Sequence, residues 1–191
     1  MLLTIAMLPT GGRAQGWSFP STVDGWENFT LGVVSGIAAH ETGHYVVAKS
    51  KGYAVSHDGL SITYPGTHFT KAGQLQLASA GFQTQWMLDE YVLRDEHGDE
   101  HIKPPSDYGA GVVFSYIGVS AAYLTFLKDQ YNGDVYGISR STGMSHDQVA
   151  LIAAIPAALD AWRLFGDDVP KWVPGLSVGS KAVAMTWIWT Y

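Results

Sequence analysis

The chain has 191 residues, enough for one domain with a sizeable core, and a net charge of −6 at a pI near 5.5; an acidic balance argues against a nucleic-acid partner, because phosphate binding needs clustered basic side chains. It has no cysteines, so disulfides and thiolate metal sites are excluded and any metal must be held by His, Asp or Glu. Charged residues are scarce at 15% and aromatic residues plentiful at 13%, which points to a membrane protein with Trp and Tyr at the interfaces, although a mean hydropathy of only +0.05 makes that reading rest on particular segments.

Met1 to Met7 is apolar and precedes Pro9, Gly11 and Gly12. Too short to span a bilayer, residues 1–15 read as a signal peptide or an N-terminal anchor, without the positive start that the former usually carries. Residues 16–191 read as a single domain. Gly16 to Asn28 is polar and turn-rich, with Trp17 and Trp26 suited to an interface.

Phe29 to Ala48 is the first long apolar run, about 20 residues and enough to cross a bilayer as a helix. Gly32 and Gly36 make a G-x-x-x-G face, and Gly43 extends the small-residue stripe, as close helix packing requires. The same run holds His40-Glu41-Thr42-Gly43-His44, an H-E-x-x-H motif expected by chance about 0.007 times in a chain of this composition. On a helix, positions i and i+4 share a face, so both imidazoles reach one metal ion and Glu41 lies beside them as the base for a metal-activated water.

Lys49, Lys51 and Gly52 end that helix. Tyr53-Ala54-Val55 and Leu60 to Tyr64, separated by His57-Asp58-Gly59, predict a small β-hairpin, which could pair with an extended peptide or serve only as a connector. Ala72 to Leu93 has a helical pattern interrupted by Gln74, Gln76, Gln83, Gln85, Asp89 and Glu90, and is expected not to cross a membrane fully. Arg94 to Asp107 reads as a charged, solvated loop containing His97 and His101. Gly109 to Leu127 is uncharged and is the clearest spanning candidate. Lys128 to Met144, rich in Gly, Asn, Asp and Ser, predicts a loop, after which Ser145 caps a helix running to Phe165. That helix contains Pro156 and a lone acid, Asp160. After a turn from Asp167 to Pro174, Leu176 to Tyr191 forms a final apolar segment ending in W-I-W-T-Y. The expected fold is mainly α: a polytopic membrane bundle of about 3–5 apolar helices with a small β-hairpin after the H-E-x-x-H helix.

A catalytic zinc takes three protein ligands and keeps one position for water. The motif supplies two, and Asp160, Glu90, Asp89, His57 and His68 compete for the third. Asp160 is favoured because an unpaired carboxylate inside an apolar helix is expensive; the bland alternative is an ion pair with Arg163 at i+3. Glu90 is the runner-up and would give a soluble or peripheral, gluzincin-like peptidase.

The stretch A-A-H-E-T-G-H-Y-V-V-A-K-S-K-G-Y resembles the first active-site helix of the site-2 protease family of intramembrane zinc metalloproteases. Ala80-Gly81-Phe82 stands where that family has an A-G-P-like sequence, and Ile155 to Phe165, with Pro156 and Leu159-Asp160-Ala161, resembles its proline-containing L-D-G signature. The resemblance implies Zn²⁺ held by His40, His44 and Asp160, with Glu41 catalytic, a lipid bilayer as environment, and a peptide or membrane-protein substrate. Ala161 for glycine, Phe82 for proline and a missing upstream asparagine depart from the family pattern. So does the second intervening helix, which if it spanned would make the Asp160 helix antiparallel to the motif helix. A different class of function, a non-catalytic membrane protein with a structural metal, would require four protein ligands and no open position.

Overall fold

In the computed structural model, which describes residues 16–57, 62–94 and 104–191, the motif helix is longer than the apolar run. Helix α1 extends over Val23–Ser50 because Thr22 caps it, its hydroxyl accepting from Gly25 N, and Asp24 complements the first turn. It stops at Lys51 and Gly52, where φ of +72° suits glycine. A two-stranded antiparallel hairpin follows, β1 (Ser56–His57) and β2 (Ile62–Thr63), paired Ser56 to Thr63 and His57 to Ile62. The expected polar helix is two helices, α2 (Lys71–Ala78) and α3 (Ala80–Leu93), broken at Ser79. Helix α4 (Asp107–Ala122) is capped by Ser106 and runs into a π-helical turn at Tyr123–Leu127. The predicted 128–144 loop contains a helix, α5 (Asp134–Thr142). Helix α6 (His146–Phe165) begins at the predicted Ser145 cap, completed by Gln148 as a capping box, and α7 covers Trp172–Thr190.

Close helix approach sets the topology. A methyl group at Gly32 would sit 2.1 Å from the Tyr108 carbonyl oxygen, one at Gly36 2.0 Å from Ser115 Oγ, and one at Gly111 2.1 Å from the Phe29 carbonyl oxygen. From Gly25 beside Asp107 to Gly36 beside Ser115 the contacts advance along both chains, so α1 and α4 are parallel. Helix α3 returns beside α1, where Gly43 meets Ala80 and Thr84. Helix α6 runs opposite to α4: Tyr116 Oη donates to the Ala153 carbonyl (2.8 Å), while Leu164 clusters with Ala110, Val113 and Phe29. Trp17 closes that end, stacked on Phe29 and donating through Nε1 to Asp107.

Among the described residues two helices, Asp107–Leu127 and His146–Phe165, are long and apolar enough to cross a membrane, fewer than the three to five expected. Residues 1–15, with their expected signal peptide or anchor, and His97 and His101 lie outside the described residues.

Candidate metal centre

His40 and His44 lie one turn apart on α1, both buried and facing the bundle. Each ring is oriented through Nδ1. His40 Nδ1 pairs with Gln85 Oε1 on α3 at 2.9 Å, and Gln85 in turn donates through Nε2 to Ser115 Oγ on α4 at 3.1 Å. His44 Nδ1 donates to the Leu77 carbonyl at the end of α2, 2.8 Å away. With both Nδ1 atoms engaged, the two Nε2 atoms are left facing each other 3.2 Å apart. Outer partners of this kind fix the tautomer and aim of metal-ligating histidines.

The carboxylate that meets them is Asp134, the first residue of α5. Its Oδ2 lies 2.9 Å from His40 Nε2 and its Oδ1 3.2 Å from His44 Nε2. Asp134 follows a turn in which Asn132 adopts φ of +64° and Gly133 is the N-cap, so the carboxylate sits at a helix N-terminus, favourable for negative charge. Its backbone N–H donates to Tyr123 Oη at 3.1 Å, from the π-helical turn. Burial opposes ionisation of Asp134, but the His44 and His40 imidazoles outweigh it and hold the carboxyl below the usual carboxylate range.

Donor atoms of His40, His44 and Asp134 all lie within 4.8 Å of one another. Ligands of a tetrahedral zinc, with bonds of about 2.0–2.1 Å, are spaced about 3.3 Å apart, close to the 2.9–3.2 Å found here. The donors therefore fit a small divalent cation. Packing brings them together at two tight points: a methyl at Gly81 would fall 2.3 Å from His40 Nε2, and one at Gly137 2.6 Å from the Ala78 Cβ.

Glu41 is half-buried and, with both histidines and Asp134, lines a groove of about 410 Å³. Ile62, Thr63, Tyr64 and Phe69 form its hairpin side, and Tyr123, Tyr131 and Tyr136 its other wall.

The expectation that Asp160 is the third ligand is not met by this geometry. Asp160 Oδ1 accepts from Ser177 Oγ (2.6 Å) and Arg163 Nη1 (3.1 Å), and Oδ2 from Lys181 Nζ (2.5 Å). The reason is topological. On α3, Gln85 meets His40, whereas Asp89, four residues or roughly 6 Å farther along, is the residue beside Asp160; Asp160 therefore lies about one turn from the histidine pair along the bundle, where α7 takes up its carboxylate. Glu90 is likewise engaged elsewhere, with Arg163 at 2.7 Å and Lys181 at 2.5 Å. Asp89 is fully buried, and His57 and His68 are exposed; none of the three joins the histidine pair. Asp134 was hidden in a stretch with the composition of a loop, where its one signal is an Asn-Gly-Asp turn ahead of V-Y-G-I.

No protein-family model, curated protein or solved structure matches this chain.

Proposed function

We propose that the chain is a membrane-embedded zinc-dependent endopeptidase in which His40, His44 and Asp134 hold the metal and Glu41 is the general base. The observation that carries this reading is the convergence of three donors, the two histidines with their Nδ1 atoms already engaged, at a groove that Glu41 also lines. Zinc bound there would supply the Lewis acidity that activates a water and polarises a peptide carbonyl. Glu41 accepts the proton of the attacking water and returns it to the leaving amine. Asp134 neutralises charge between the imidazoles, Gln85 and the Leu77 carbonyl hold the rings in register, and β2 offers an edge along which an extended peptide lies. The likeness to site-2 proteases now rests on the α1 motif, because Asp134 takes the place the resemblance gave to Asp160.

Embedding in a bilayer is supported by where the apolar surface lies. On α1, Leu31, Val34 and Ile37 are exposed at 58, 57 and 46%, while its polar motif faces inward. Exposed Trp26, Trp162 and Trp172 ring one end of the bundle and Tyr45, Trp187, Trp189 and Tyr191 the other, as interfacial belts do. Helices α4 and α6 are the spanning pair; α3, with 14 residues, is too short to span and buries one face against its neighbours while Met87 and Tyr91 stay exposed.

The test is Glu41→Gln in detergent micelles, with a mixed peptide library read by mass spectrometry. Zinc content persists and cleavage disappears; retained cleavage would refute the mechanism.

A further inference from the structure

Asp160 leads to a second buried polar centre that the proposed chemistry does not use. It lies between α3, α6 and α7 and contains three carboxylates, Asp89, Glu90 and Asp160, against two cations, Arg163 and Lys181. Lys181 is 3% exposed, and Asp160 and Asp89 are 0% exposed. Lys181 Nζ reaches both Glu90 and Asp160 at 2.5 Å, Arg163 Nη1 reaches the same two at 2.7 and 3.1 Å, and Ser177 bridges beside them. These contacts use both cations on Glu90 and Asp160. Among the described residues neither oxygen of Asp89 has a hydrogen-bond partner. Its surroundings are nonetheless charged: Asp160 and Glu90 act on it as like charges and Lys181 as an opposite one, with Tyr116 facing the same cluster from α4.

An ionised, unsolvated and unpartnered carboxylate beside two others is costly, and it leaves the buried cluster with one surplus negative charge. One monovalent cation removes both costs. Lys181 and Arg163 already occupy the positions between Glu90 and Asp160, so what is left for Asp89 is the smallest cation. We propose that Asp89 is a structural proton site: it is held as the neutral acid beside Asp160, which makes the α3–α6–α7 network electroneutral and lets α7 dock on the bundle. A proton on Asp89 turns its repulsion with Asp160 into attraction, and its loss weakens the seat of Lys181 and with it of α7. This inference is independent of the metal centre and of peptidase activity.

Burial pushes the Asp89 carboxyl well above its ordinary range, and the Asp160 charge adds to the rise. A carboxyl raised in the folded state contributes stability that is full below its unfolded pKa, about 3.9, and is lost as pH climbs through the folded value. The experiment uses the full chain in detergent micelles. At pH 7 its infrared spectrum shows a protonated-carboxyl carbonyl stretch, which Asp89→Asn removes and Asp134→Asn leaves. Thermal unfolding of Asp89→Asn gains on the wild type progressively from pH 5 to pH 9, because the amide stays neutral. No protonated carboxyl in the wild type at pH 7, or one that survives Asp89→Asn, overturns the proposal. So does a pH-independent difference between the two proteins. Absence of the band together with stabilisation by sodium over choline chloride would overturn it in favour of a metal cation.

Discussion

Gly81→Ala probes the contact between the α3 backbone and the first imidazole. The added methyl would lie 2.3 Å from Nε2, 2.4 Å from Cε1 and 2.5 Å from Cδ2 of His40, about 1 Å inside ordinary van der Waals contact on three atoms of one ring. That ring cannot swing aside freely, because Nδ1 is tied to Gln85 and the opposite nitrogen faces Asp134. Overpacking of this kind costs about 1–3 kcal/mol, against which alanine recovers up to about 1 kcal/mol of helix propensity. The net loss, about 0–2 kcal/mol, corresponds at its upper end in a chain of this size to a Tm lower by roughly 4–8 °C. Where the ring moves instead, the displaced ligand lowers zinc affinity about 10–100-fold. Thermal unfolding and zinc titration of the purified protein read both outcomes. Gly118→Ala is the control, with nothing within 4 Å of the new methyl, and it should leave both unchanged or raise Tm slightly. A Gly81→Ala protein with wild-type Tm and wild-type zinc affinity would refute this packing of α3 against His40.

Gln85→Leu removes the acceptor for His40 Nδ1 and the donor to Ser115 while keeping an apolar shape in the interior; zinc affinity measured by competition with a chromophoric chelator falls about 10–100-fold. Removal of zinc by a chelator lowers Tm, and readdition at about 100 times Kd restores about 2.7 kcal/mol of stability. That restoration shrinks as the pH falls, because protons compete with the metal for the imidazole nitrogens; a pH-independent increment would contradict the ligand set.

Much of α1 was legible because its information is local. Two histidines at i and i+4, a glutamate between them and glycines on the packing face state the helix and its chemistry together. The Ser145 cap was legible for the same reason, being a local hydrogen bond confirmed with Gln148. The third donor was not. Asp134 is brought to the site by the return of α2–α3, the parallel path of α4 and the turn that starts α5, all of which are long-range. Burial expense picked Asp160 out correctly as a carboxylate needing partners. The i+3 pairing with Arg163, weighed as the bland alternative, is present, and Lys181 from α7 completes it. Composition also misled at 128–144, where Gly, Asn and Ser masked a nine-residue helix packed on α2 and α6.

In the proposed peptidase one metal centre is built from His40, His44 and Asp134. Its most direct test is zinc bound per folded protein in Asp134→Ala beside Asp160→Asn, measured by elemental analysis after gel filtration. Asp134→Ala loses its zinc and Asp160→Asn keeps it in full. Zinc retained without Asp134, or lost with the Asp160 change, would contradict it.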